Sequence, residues 1–342
     1  MSLPPAAAVS SMVTDCHVHL VPPSLTAARG DDAWRPSVTF DGSRQLSVSL
    51  RGRPMPAVVA ELSRVEVVLA EAAVTGVERL LLSPWVATLP VEEPAAAAAA
   101  VCRLHNEAMA ATVAADRDHL AGLGAVPLQD PGLAARELEA VLASGLSGVE
   151  VTASAAGVYL GDDRLEPFWA AAEARGALVF VHPTTRGFGL PVFGEYYLWN
   201  AVANPMETAI TAAHLVMAGV LERHPGLRIL LAHGGGALPA VVGRLGRAWA
   251  TRPEARARLA EPPDRSWRRL HFDTVTHDPA LLAHLVAFAG ADHVLLGSDR
   301  PFDMGTERPV EAVRQLGLPP EAEALILWGN AERLLAPAGA GR

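Results

Sequence analysis

Eight short segments rich in aliphatic or β-branched residues recur along the 342-residue chain, at 12–20, 77–83, 120–128, 148–153, 177–182, 227–233, 270–276 and 293–299. Ala/Leu/Glu/Arg stretches with helical periodicity, such as 131–142 and 166–175, lie between most of them. Strand-then-helix alternation implies a parallel sheet, because a parallel neighbour is reached only by a long crossover. Eight such units close into a (β/α)8 TIM barrel, and the chain length suits one large barrel, so residues 1–342 are read as a single domain. An open doubly wound sheet is the competing architecture. It would carry a Gly-rich phosphate turn after its first strand, whereas the first strand here ends in Cys16-His17-Val18-His19.

Two connections exceed what a barrel needs. Residues 21–56, after the first strand, hold several Pro and Gly and a hairpin pattern at 37–50. Residues 184–203, after the fifth, hold Phe188, Phe193, Tyr196, Tyr197 and Trp199. Both leave the C-terminal ends of strands, where barrel enzymes build their sites, so both are expected to wall or cover a pocket.

Polar residues at those same strand ends carry the chemistry. His17 and His19 are two apart on a strand, so both imidazoles face one side, into the barrel. By the same alternation Cys16 is expected to face away from them, as core. His182 ends the fifth apolar strand, His233 the sixth and Asp299 the eighth. Polar groups buried together are costly unless they share a partner, and a divalent cation is the partner that suits imidazole and carboxylate. Asp273, inside the seventh strand, is a candidate support for a ligand. His277 and Asp278 read as a loop cap. Glu150, on the fourth strand, can point inward or outward. His105, His119, His214, His224, His271, His284 and His293 read as surface residues of helices or loops.

The chain resembles the amidohydrolase-related family that includes 2-amino-3-carboxymuconate-6-semialdehyde decarboxylase. The resemblance spans about 13–335. It rests on Asp15-Cys16-His17-Val18-His19, Phe180-Val181-His182-Pro183, Ala232-His233-Gly234-Gly235-Gly236 and Gly297-Ser298-Asp299-Arg300-Pro301-Phe302, with support from Asn204-Pro205-Met206-Glu207-Thr208 and Val242-Gly243-Arg244. It implies that His17, His19, His182 and Asp299 hold one metal per chain, completed by water, and that His233 is the catalytic acid/base. It further implies that Arg244 reaches a neighbouring subunit's substrate pocket, which makes the protein a homodimer. Arg51 or Arg53 would grip a substrate carboxylate, and Phe302 would line the pocket. Thr184 and Thr185 stand where the family's closest decarboxylases have Trp after His-Pro, so the substrate is expected to be a related but different acid.

Three imidazoles and one carboxylate suit Zn²⁺, with Mn²⁺ as the alternative. The implied activity is non-oxidative decarboxylation of a small anionic aromatic or unsaturated carboxylic acid, since pocket arginines favour an anion. The alternative is hydrolysis of a lactone, ester or amide, which the same ligand set serves.

Composition removes other classes. All 28 basic residues are arginine, so no lysine exists for Schiff-base or pyridoxal phosphate chemistry, for a P-loop, or for a carboxylated bridge between two metals. The net charge of −9 and the scattered arginines give no nucleic-acid-binding stripe. No apolar run is clean enough to span a bilayer. Two cysteines make no disulfide framework and the N-terminus shows no secretory pattern, so a cytoplasmic location is expected.

Overall fold

The computed structural model describes residues 11–22, 37–40, 45–50, 53–54 and 58–336. Eight parallel strands form one sheet in chain order: β1 Thr14–Leu20, β2 Arg79–Pro84, β3 Leu120–Gly124, β4 Gly148–Thr152, β5 Leu178–His182, β6 Arg228–Leu231, β7 His271–Asp273 and β8 Val294–Leu295. The sheet closes on itself. Cys16 N donates to Leu296 O, Asp299 N to His17 O and His19 N to Arg300 O, each at 2.8 Å. The expected barrel is therefore the observed one.

The strands are apolar on both faces because both faces are covered. Leu81, Leu123, Phe180, Leu230 and Leu295 pack together inside the barrel. Val18, Leu80, Leu82, Val179, Val181, Ile229 and Leu231 pack outward in the larger core beneath the helices. Along β5 the alternation is visible residue by residue: Leu178 and Phe180 face in, Val179 and Val181 face out, and His182 ends the inward row.

Between the strands lie α1 Val65–Val74, α2 Ala95–Ala115, α3 Pro131–Ala143, α4 Glu166–Arg175, α5 Asn204–Met217, α6 Leu238–Thr251 and α7 Pro279–Ala289. Asp-Pro starts two of them. Asp130 accepts from Leu133 N at the head of α3, and Asp278 from Leu281 N at the head of α7, each with proline in the first turn. Asp278 is thus the loop cap its sequence position indicated. Helix α4 stops at Gly176, whose φ of 58° suits glycine at a helix end.

The hairpin read at 37–50 is present as antiparallel strands Ser37–Phe40 and Gln45–Leu50, extended by Arg53–Pro54 and Val58–Val59. Residues 184–203 form short turns and a π-helical segment, Trp199–Ala203, that runs into α5.

Two local departures matter for the site. First, β1 carries a bulge between Asp15 and Val18: Asp15 pairs with Leu80 and Val18 with Leu82, three steps against two. The extra residue breaks the alternation. Cys16 therefore does not turn away from the side of His17 and His19. It packs inside the barrel with Leu81 and Phe180, while His17 and His19 still face in. Second, strands six to eight end earlier than their apolar runs. The Asp273 carboxylate accepts from Val275 N at 3.0 Å and turns the chain out of β7, and the backbone reverses into positive φ at His233 (57°) and Asp299 (63°).

The glycines after His233 make the first reversal feasible. Gly236 has φ 60° and ψ −128°, a region closed to other residues, and a Cβ there would lie 2.1 Å from Pro205 O. We expect Gly236→Ala to destabilise the fold by about 3 kcal/mol, the sum of backbone strain and overpacking, measured by denaturant unfolding. An unchanged midpoint would contradict this placement of the turn.

Candidate metal centre

Five side chains from four strand ends converge at the mouth of the barrel. His17, His182, His233 and Asp299 each offer a donor atom, and these atoms lie within 4.8 Å of one another. His19 joins them: its Nε2 is 3.0 Å from His17 Nε2 and 3.2 Å from Asp299 Oδ1. His17 Nε2 is 3.3 Å from the same oxygen. All five residues read from the strand ends are thus brought together.

Hydrogen bonds at the far side of each ring decide what the near side can do. His17 Nδ1 meets Asp273 Oδ2 at 2.6 Å, His19 Nδ1 meets Pro84 O at 3.2 Å, and His182 Nδ1 meets Pro183 O at 2.9 Å. Each partner is an acceptor, so each Nδ1 carries the proton and each Nε2 presents a lone pair inward. His233 differs. Its Nδ1 is buried with no hydrogen-bond partner, and its Nε2 lies 3.5 Å from Asp299 Oδ2. No acceptor holds its far side, and among the described residues its one polar side-chain contact is this carboxylate.

Two imidazole lone pairs at 3.0 Å, facing a carboxylate oxygen, repel unless a positive charge sits among them. Asp299 Oδ1 is itself buried without a hydrogen-bond donor. In the cation-free protein a proton fills the role. Burial pushes His17 down, but Asp299 and Asp273 outweigh it and raise its pKa to about 10. For Asp299, burial acts upward and the His17 charge overrides it, so the carboxyl is held well below its usual range. Burial, helped by the neighbouring imidazoles, keeps His182 well below its ordinary value, and His19 is lowered chiefly by burial. The donor set fits one divalent cation: lone pairs converge, the carboxylate is ionised, and the charge now supplied by a proton is exchangeable.

Supporting groups lock this arrangement. Asp273 is fully buried and accepts from four groups: His17 Nδ1, His233 N, Gly234 N and Val275 N. One carboxylate thereby fixes both the His17 ring and the backbone that carries His233, the supporting role its place in the strand suggested. Asp15, raised to about 6 mainly by burial, accepts from Ser298 Oγ at 2.5 Å and from the Ser298 and His17 amides, which holds the turn before Asp299. Glu207, in the Asn204–Thr208 motif, accepts from Thr184 N at 2.7 Å and Thr184 Oγ1 at 2.8 Å and so fixes the chain after His182. The roles of Asp15 and Glu207 were not legible beforehand, although both lie inside motifs that were.

Aromatic rings lie beside the cluster. The Phe302 ring is 5.3 Å from the His19 ring and 6.2 Å from that of Trp85, a residue the sequence did not single out. Tyr197 sits on the Asp299 side of segment 184–203: burial first, then the Asp303 and Asp299 charges, raise its hydroxyl pKa. Arg244 is exposed on α6, without an ion-pair partner among the described residues. Arg51 lies outside the described residues, and of Arg53 only the backbone, in strand Arg53–Pro54, is described. Two histidines read as surface are buried. His105 packs on the inner face of α2, where burial lowers its pKa to about 4, and His224 is held between Glu166 and Glu173.

The amidohydrolase family profile matches residues 14–336. The chain is 30% identical over 235 residues to 2-amino-3-carboxymuconate-6-semialdehyde decarboxylase of Dictyostelium discoideum, covering 67% of this chain and 65% of that protein. It is 31% identical over 167 residues to the protein of that name from Caenorhabditis elegans, 48% of this chain and 41% of that one. It thus spans less than two thirds of these two relatives. Among solved structures, 5-carboxyvanillate decarboxylase from Sphingomonas paucimobilis superposes with a TM-score of 0.77 at 25% identity, covering 95% of this chain and 99% of that one. A dihydroxybenzoic acid decarboxylase from Polaromonas with bound manganese shares the fold, at a TM-score of 0.75 and 23% identity, covering 95% of this chain and 96% of that one. With a profile match across nearly its whole length and a barrel whose polar strand ends coincide with its motifs, this chain belongs to the amidohydrolase family.

Proposed function

We propose that the chain is a metal-dependent decarboxylase of a small anionic aromatic or unsaturated carboxylic acid, with His17, His19, His182 and Asp299 holding one divalent cation and His233 serving as acid/base. One observation carries this division of labour. Three imidazoles have Nδ1 tied to an acceptor and Nε2 turned inward, and the fourth has no such tie. A tied ring is a ligand of fixed tautomer; an untied ring can gain and lose a proton. The decarboxylases among the relatives and structural neighbours support the reaction class.

A divalent cation at this position would supply Lewis acidity towards an oxygen of the bound acid. Zn²⁺ is the expected ion, and Mn²⁺, held by the Polaromonas neighbour, is the alternative. His233 delivers its proton to the substrate carbon that bears the carboxylate. The bond from that carbon to the carboxylate carbon then breaks, CO₂ leaves, and the electron pair returns to the unsaturated system. His233, partly open to solvent, recovers its proton from water. Phe302 and Trp85 offer apolar faces to a planar substrate. Arg51 or Arg53, and Arg244 from a second copy in a homodimer, are proposed to pair with substrate carboxylates. Cys16 and Cys102, buried and free, suit a reducing cytoplasm. Among the described residues no helix is long and apolar enough to cross a membrane.

Cation binding must displace the proton that His17 holds below pH 10. The sign follows: raising pH removes the competitor, so apparent affinity rises about tenfold per pH unit between roughly pH 6 and 8. Chelator competition measures this, and a pH-independent affinity would contradict it. Asp273→Asn, which weakens the anchor of His17, is expected to lower the affinity by about 10–100-fold.

His233→Asn is expected to keep its metal and lose turnover by roughly 10²–10⁴-fold. The reaction class is read in D₂O with a panel of carboxylic acids. CO₂ release with one solvent deuteron at the vacated carbon is the expected result. Activity confined to esters, lactones or amides, with ¹⁸O from water in the product and no CO₂, would make the protein a hydrolase instead.

A further inference from the structure

The segment that leaves β5 carries an arginine with no part in the account so far. Arg186 stands four residues beyond His182. Its backbone is held on both sides. Thr184 is bonded to Glu207, and Gly187, at φ 57°, is packed so closely that a Cβ there would lie 3.0 Å from Phe193 Cβ and 3.2 Å from Trp199 Cβ. Beyond Gly187 the backbone bonds turn back on the segment itself, as in Leu190 N to Gly187 O at 2.9 Å and Leu198 N to Glu195 O at 3.0 Å. Among the described residues, the segment's one ion pair to the rest of the barrel joins Arg186 Nη1 to Glu92.

That ion pair crosses the mouth of the barrel. Glu92 lies in the loop after β2 and Arg186 in the loop after β5, so the pair spans the ends of β3 and β4, which stand between those strands in the sheet. A cleft adjoins it: Pro90 and Val91, just before Glu92, line one side, and Glu150 and Thr152 of β4 line another. Thr152 pairs with His182, and Glu150 with the inward-facing Phe180, whose ring lies 4.9 Å from that of His17, so the cleft borders the histidine cluster. Arg300, next to Asp299, is committed elsewhere: its Nη2 donates to Glu307 O at 2.7 Å and to Thr75 Oγ1 at 3.3 Å. The Arg186 side chain is 44% exposed and that of Glu92 69%. Exposed pairs of this kind contribute little, so exchanging Glu92 for another anion costs little.

We propose that Arg186 is a specificity-determining residue: its guanidinium leaves Glu92 and pairs with a second anionic group of the bound acid, remote from the carboxylate that departs as CO₂. The inference rests on the decarboxylase reading and narrows it to acids that carry two anionic groups. Glu92 is the stand-in, a carboxylate of the chain itself on the guanidinium that a substrate carboxylate takes over. The fork of a guanidinium matches a carboxylate through two parallel N–H bonds, which a lysine in its place could not offer. A bound acid also displaces water from the cleft, so the new pair is less screened than the exposed one it replaces. A monoacid leaves Arg186 on Glu92 and gains nothing from it, which is the source of the discrimination.

The test is calorimetric titration of the full-length, Zn²⁺-loaded protein with benzoate and with the three benzenedicarboxylates. The tightest diacid is expected to bind about tenfold or more tighter than benzoate, the scale of a charged hydrogen-bonded contact. Arg186→Met removes that preference, and benzoate affinity stays within about threefold of the parent. Arg186→Lys keeps part of it, because the charge remains and the fork is lost. Glu92→Gln binds the diacid as tightly as the parent or up to about fivefold more tightly, since it frees the guanidinium from a weak partner, and any such gain vanishes in Arg186→Met/Glu92→Gln. The proposal is overturned if the parent binds no diacid better than benzoate, if Arg186→Met keeps the preference or weakens both kinds of acid alike, or if Glu92→Gln weakens the diacid. An Arg186-dependent preference for diacids in a protein that releases CO₂ from no carboxylic acid would instead overturn the decarboxylase reading and leave Arg186 as the anion-reading residue of another reaction.

Discussion

Two imidazole nitrogens and a carboxylate oxygen are held within 3.3 Å of one another in the mouth of a barrel, and every neighbouring feature answers to the charge this demands. Lone pairs at that separation are stable only around a positive charge. Without a cation, His17 supplies it by keeping a proton to about pH 10. Asp273 and Asp299 lie on either side of that ring, and both carboxylates stabilise its proton.

The fold supplies that geometry by interrupting its own regularity. A uniform β1 would send Cys16 outward; the bulge at 15–18 keeps Cys16, His17 and His19 all inside. Uniform sixth and eighth strands would run on into their helices. Instead the chain reverses at His233 and Asp299, both at positive φ, and Asp273 and Asp15 accept the amide protons those turns expose. Such backbone costs about 1–3 kcal/mol per residue and persists where surrounding bonds over-determine it. The same Asp273 carboxylate holds the His17 ring and the backbone of His233, so the two histidines share one support.

Much of this was legible in the sequence, for physical reasons. Apolar runs of both-face burial mark the eight strands, and the polar residue that ends a run marks where the barrel opens. Hence His17, His19, His182, His233 and Asp299 could be placed together from spacing alone, and Asp130 and Asp278 announced their helices as Asp-Pro. What stayed hidden depends on partners remote in sequence. The bulge that turns Cys16 inward is a property of the pairing with β2. Glu207 takes its meaning from Thr184. His105 and His224 looked like helix-surface residues because helical spacing does not say which helix face meets the barrel or which acids wait there.

The central claim is that His19, not His233, completes the ligand set with His17, His182 and Asp299. Anomalous diffraction from crystals of the Zn²⁺-loaded protein tests it directly. The account requires one cation per chain, at about 2.0–2.2 Å from Nε2 of His17, His19 and His182 and from an Asp299 oxygen, with His233 Nε2 unbonded. A cation bonded to His233 in place of His19, or a second cation in the same site, would contradict it.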